Sequence, residues 1–234
     1  MSHEISTLCR ASVAVATVAA VLSMPALAGA ADRGADQQIA DESALTIDDV
    51  PTGFNEEAAD DSSDPQPGAA CRAIRKAAKA ADAAPHTEVE FRTPGDDSGS
   101  ALINNQVSVL ASPKRAKVIF AAYAARDARR CLTGAYESIF TEQLDDPTAK
   151  VVVNADRYTP DLGDASVGYE VEIVATAQGD SNTIYVENFY VDIEVARVGR
   201  ALDAFGFFNT RNPPPSDDVV AMTDAAVARL EAAL

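Results

Sequence analysis

The residues with the clearest chemical bias are four arginines beside two cysteines. Arg72, Arg75, Lys76 and Lys79 recur at three- and four-residue spacing, which places them on one broad face of a helix. Arg126, Arg129 and Arg130 precede Cys131 at what reads as the end of a second helix. A bond between Cys71 and Cys131 would set the start of the first helix beside the end of the second and gather Arg72, Arg75, Arg129 and Arg130. Such a cluster suits a carboxylate or phosphate, because a guanidinium can donate two parallel hydrogen bonds to it. The candidate anions are a small ligand, an acidic partner and the chain's own acidic stretch at 41–64. The competing reading is a solvated basic face screened by salt.

Other constellations are weaker. Residues 95–100, GDDSGS, share small and acidic residues with the nucleophile segment of trypsin-like proteases but carry an extra Asp. His86 lies too close in sequence to serve as that family's base, and a hairpin turn explains the residues better. Asp60, Ser62 and Asp64 alternate like a calcium loop, yet its required Gly and Glu positions hold Pro65 and Cys71. Glu88 with Glu90, Glu170 with Glu172, and Asp192 with Glu194 each share one side of an expected strand. Each pair could serve as a general acid and base or hold a hard cation. A solvated polar face interleaved with Arg92, Arg157 and Arg197 is the favoured reading. No nucleophile elbow, P-loop or dinucleotide fingerprint is present, so no catalytic residue, metal ligand or cofactor is assigned.

The cysteine argument depends on compartment. Residues 1–30 read as a secretory signal peptide, with an apolar run from Ala11 to Met24, Pro25, and small-residue cleavage options before Gly29 or Ala31. Cys9 precedes the apolar run, so release rather than lipid anchoring is expected. The mature chain then keeps Cys71 and Cys131, which in an oxidising compartment read as a disulfide closing a loop of about 60 residues. Two separate buried thiols are the alternative. The location expected is secreted or extracytoplasmic, with no membrane span in the mature form.

Charge narrows the partners. The 234 residues carry 19 Lys and Arg against 36 Asp and Glu, a formal net charge of −17. This argues against nucleic acid and against anionic lipid, both of which need a cationic surface. The charge is blocked: residues 31–64 hold eleven acids and one base, 65–131 six acids and eleven bases, and 132–234 eighteen acids and six bases. Residues 31–68 read as an acidic, largely flexible segment with a docking stretch at 45–54, and 69–234 as a single domain.

The elements that must carry these residues follow from periodicity. A helix is expected over 71–81 and strands over 86–92 and 101–110. Ser112 and Pro113 open a helix to about Arg130, whose terminal arginines suit its dipole while Lys114, Arg115 and Lys117 oppose it and should face something acidic. A short helix over 136–143 precedes strands at 151–158, 167–175, 183–197 and 200–208. In the third of these, Phe189, Val191, Ile193 and Val195 face the core and Asn188, Tyr190, Asp192 and Glu194 the solvent. A last helix, capped by Ser216, presents Val219, Val220, Thr223, Ala226, Val227 and Leu230. The sum is an α+β fold: an antiparallel sheet of about five to six strands packed on one face by helices, with one disulfide.

This order resembles the PknH-like extracellular sensor domains of actinobacterial proteins. The matching pieces are residues 45–54, the strand 107–110 leading into 112–130, Cys131, GDASVGY at 163–169 and VARVGRAL at 195–202. The resemblance implies an antiparallel sheet packed by helices, a stabilising disulfide and a cleft for an unidentified ligand. The chain departs from the kinase-linked members in lacking a kinase and a membrane span, and in having one possible mature disulfide. The expected function is a secreted, non-catalytic binding module for a small ligand or an envelope protein. The alternatives are a secreted hydrolase using sheet-face carboxylates and a structural envelope protein.

Overall fold

Pairing between strands decides the architecture. The computed structural model describes residues 30–58, 71–94, 100–144, 148–178 and 184–234. The expected signal peptide, the calcium-like spacing at 60–64, the turn at 95–99 and the hairpin tip at 179–183 lie outside the described residues. In chain order the elements are α1 (Ala30–Ser43), β1 (Asn55–Glu57), α2 (Arg72–Asp82), β2 (His86–Arg92), β3 (Ala101–Val109), α3 (Pro113–Tyr123), α4 (Ala128–Leu144), β4 (Lys150–Tyr158), β5 (Ala165–Gln178), β6 (Ile184–Val198), β7 (Ala201–Thr210) and α5 (Ser216–Ala233). The strands form a single antiparallel sheet in the order β1-β2-β3-β7-β6-β5-β4. Short links between neighbours, such as the turn at Gly199 (φ 54°), enforce that orientation.

The sheet has seven strands, more than the five to six expected, because β1 forms from the acidic stretch and pairs with β2. Arg92 draws it in by binding Glu57 at 3.2 Å across the strands. Helices also cover both faces, not one. On the first face α2, α3 and α4 pack over Leu202, Phe208, Val191, Val195 and the Val167–Ile173 row of β5. On the second face α1 and α5 pack over Ile103, Val107, Val109, Phe205 and Phe207. Strands β3 and β7 lie in the middle, bury eight of nine and six of ten residues and expose none fully, which demands a cover on each side.

The acidic segment expected to be flexible begins with α1. Gln38, Asp41 and Glu42 face water, while Ser43, Ala40, Ala44 and Leu45 are buried, the last three 0, 3 and 2 % exposed against β3 and α5. Leu45 also donates its amide to Asn105 Oδ1 at 3.0 Å, a buried anchor between this segment and the sheet centre. Val50 and Phe54 pack nearby, whereas Ile47 stays 45 % exposed. In α5, Met222 takes the buried place expected of Val220, which is 53 % exposed; the cap position falls on Pro215, one residue before Ser216.

The basic helix expected to reach Arg130 breaks at residues 124–127. Ser112 caps α3 by accepting the Arg115 amide, as its sequence suggests. Tyr123 ends the helix, and a new one opens where the backbone carbonyl of Asp127 accepts the Cys131 amide at 3.0 Å. Asp is a favoured residue at a helix start, and a second helix there can turn to follow β4. Cys131 therefore sits in the first turn of α4, not at a helix end.

Candidate functional site

The disulfide defines one site. Cys71, next before α2, bonds Cys131 with the Cα atoms 4.9 Å apart, and both residues are buried. It thus joins two helix starts. Arg72 opens α2 on the surface, Arg75 is half-buried one turn on, and Arg129 and Arg130 are exposed in the first turn of α4. Arg130 binds the exposed Asp127 at 3.3 Å. A helix start carries partial positive charge, so these guanidinium groups oppose the dipoles of their own helices rather than complementing them. The bond ties together the two helix starts along which these arginines lie. Farther along α3, Lys117 lies near the carboxylate of Asp164, which the Gly199 amide first, then Arg197 and Lys117, hold below the usual range.

Arg129 also borders an open cleft of about 460 Å³ with Thr133, residues 153–156 of β4 and Glu172 of β5. One wall is cationic and the other, through Asp156 and Glu172, acidic.

A second constellation lies on the other face of the sheet. Asp192 and Glu194 of β6, expected to face solvent, are 9 and 4 % exposed. The Tyr158 hydroxyl of β4 lies 2.5 Å from Asp192 Oδ1 and 2.6 Å from Glu194 Oε1. A hydroxyl has one hydrogen, so both contacts hold together only when one carboxyl group carries a proton and donates it to the tyrosine oxygen. Burial pushes Asp192 up to about 7, with Glu194 and Glu170 adding like charge against the Tyr158 hydrogen bond. Burial likewise raises Glu194, whose Oε2 is buried without a hydrogen-bond partner among the described residues. Deeper still, Asp203 is 2 % exposed, accepts Asn105 Nδ2 at 2.5 Å, and is pushed by burial up to about 7.

Tyr158 reaches these acids only because Gly168 stands between them on β5. A Cβ at Gly168 would lie 2.2 Å from the tyrosine ring. A glycine interrupting the Val167–Val171 alternation marks such a close approach and was the sequence signal for this cluster. Gly168→Ala is expected to destabilise by roughly 1–3 kcal/mol, as overpacking does. Combining it with Tyr158→Ala should remove most of that penalty, since the ring is what the methyl meets. Urea unfolding of the single and double variants measures the coupling; additive losses would reject the contact.

The remaining candidates are structural. Glu90 is buried and binds Arg92 at 2.7 Å, Glu88 accepts Asn104 Nδ2 at 2.7 Å, and Arg197 binds Asp164 at 2.7 Å. His86 opens β2, with Nδ1 3.0 Å from the Ala84 carbonyl. Among the described residues no three His, Cys, Asp or Glu side chains are placed to hold a metal ion, and no helix is long and apolar enough to cross a membrane.

No family model matches the chain, and no curated protein matches it. Among solved structures it is similar to the crystal structure of LpqN, involved in cell envelope biogenesis of Mycobacterium tuberculosis. The identity is 13 %, the match covers 76 % of this chain and 75 % of that one, and the TM-score is 0.26, too low to carry an argument about function.

Proposed function

We propose that the chain is an extracytoplasmic, non-catalytic binding module of sensor-domain type. It takes a small anionic ligand, or an acidic segment of an envelope protein, at the junction of α2 and α4. The observation that carries this reading is the Cys71–Cys131 bond between two helix starts that bear Arg72, Arg75, Arg129 and Arg130. Such a bond persists in an oxidising compartment. Cationic groups held against their own helix dipoles in a chain of net charge −17 gain most when an anion joins them.

Titration of the oxidised protein with inorganic phosphate and with citrate at low salt, followed calorimetrically and by thermal shift, tests the reading. Saturable stabilisation is expected, and Arg72→Gln with Arg129→Gln should weaken it at least about tenfold, the effect of losing charge-assisted bonds. Equal responses in wild type and variant would reject the site.

A hydrolase reading has one observation in its favour, the convergence of Asp192 and Glu194 with raised pKa values. Against it, both acids are buried and the Tyr158 hydroxyl contacts both of them. The acidic pair is better explained as a buried structural network.

A further inference from the structure

Strand β4 ends the sheet, and among the described residues nothing pairs with its outer edge. It runs for nine residues in unbroken register with β5, contains no proline, and leaves Val152 55 % exposed. The opposite edge, β1, has three residues. A long, regular edge is a template for another strand unless something covers it or its charges repel the incoming strand. The cleft follows this edge, since four consecutive β4 residues, 153–156, line it.

Charge indicates what fits. Asp156 lies opposite Glu170, and Glu170 opposite Asp192, so three carboxylates run in a row inward from the edge on the second face. Like charges directly opposite one another destabilise a sheet. No ion pair among the described residues involves Asp156 or Glu170, and none involves Lys150, which shares their face at the other end of β4.

We propose that the β4 edge is an interface for a second copy of this chain, the two β4 strands pairing antiparallel about a two-fold axis at Val153. In that register Lys150 of each copy stands opposite Asp156 of the partner subunit, twice over. An ammonium group then closes each row of carboxylates, Val151 meets Ala155, and the two Val152 side chains approach diagonally across the axis. The neighbouring symmetric registers lose the match: one sets Asp156 opposite Val152, the other sets Lys150 opposite Asn154. The partner strand lies along the cleft, with its lysine on the Asp156 and Glu172 side and away from Arg129. The interface adjoins the anion site proposed above, since Arg129 borders the same cleft, but it uses Lys150 and Asp156 and none of the four arginines.

Sedimentation velocity of the oxidised full mature chain, from about micromolar to about millimolar concentration, tests this. A reversible dimer in the micromolar to submillimolar range is expected, as suits a small interface. Asp156→Lys and, separately, Lys150→Glu should each weaken association at least about tenfold through like-charge contact. The swap Lys150→Asp with Asp156→Lys should restore it to within about threefold. Circular dichroism verifies that each variant is folded, and the two single variants provide independent readings. A wild type that is monomeric throughout overturns the proposal. So does a dimer indifferent to both single variants, which would seat the second copy elsewhere, or a swap variant no better than either.

Discussion

Replacing both Cys71 and Cys131 with serine is expected to lower the unfolding free energy by roughly 4 kcal/mol, the chain-entropy value for a loop of this length. The bond spans 60 residues and encloses α2, β2, β3 and α3, so its loss frees a large part of the unfolded chain. It also releases the hold between α2 and α4. Urea unfolding of the oxidised protein, the reduced protein and the double variant checks this: the last two should coincide, well below the first. A loss under about 1 kcal/mol would show that the bond lies in a region already loose in the folded state.

The second large effect is on pH. Asp192 and Asp203 titrate near 7 in the fold, against an ordinary 3.8, because burial penalises their charged forms. A raised folded value means stability is fully present below the unfolded value and lost as pH rises through the folded one. Each displacement is worth up to about 4 kcal/mol, so stability should fall by several kcal/mol between pH 4 and pH 8. Raised Glu194 acts in the same direction. Asp41, held low by Thr87 and Gln37, and Asp164, held low chiefly by the Gly199 amide, act in the opposite direction: their contribution is lost below about pH 4. The maximum therefore falls in mildly acidic solution.

Thermal melts should show a midpoint roughly 10 °C lower at pH 8 than at pH 5, given the usual few degrees per kcal/mol at this size. Asp203→Asn should flatten the slope and raise stability at pH 8, because an amide oxygen can still accept the Asn105 hydrogen while carrying no charge. Equal melting at pH 5 and pH 8 would mean that Asp192 and Asp203 are not desolvated as the fold places them.

Local patterns in the chain anticipated much of this fold. The Val167–Ala175 alternation, the Ser112–Pro113 helix start and the turn at Gly199 are set by near neighbours, and each stands where its residues suggest. What escaped was set at long range. Asp192 and Glu194 alternate with apolar residues as solvent-facing acids do, yet Tyr158 on β4 and α5 from the chain's end cover them. The break at 124–127 falls on Ala-Ala-Arg, strong helix formers that argue against it locally, and only Asp127 hints at a new start. The cover on the second face had a legible sign in the near-continuous burial potential of ALDAFGFF, which an open face would not need. The pairing of Cys71 with Cys131 was readable, but the polarity of the helix that follows Cys131 was not, because that depended on the same break.

Helices α1 and α5 pack against each other over β3 and β7, so the earliest and latest described segments complete one core. Ala40 and Ala44 find their cover in Val227 and Leu230, nearly two hundred residues downstream. Strand β3 supplies part of the cover through Val107 and Val109, but the stripe is not closed until α5 is in place. Closing this face therefore waits on a contact of very long sequence separation, and molecules lacking α5 should be the ones most readily seized by chaperones or proteases.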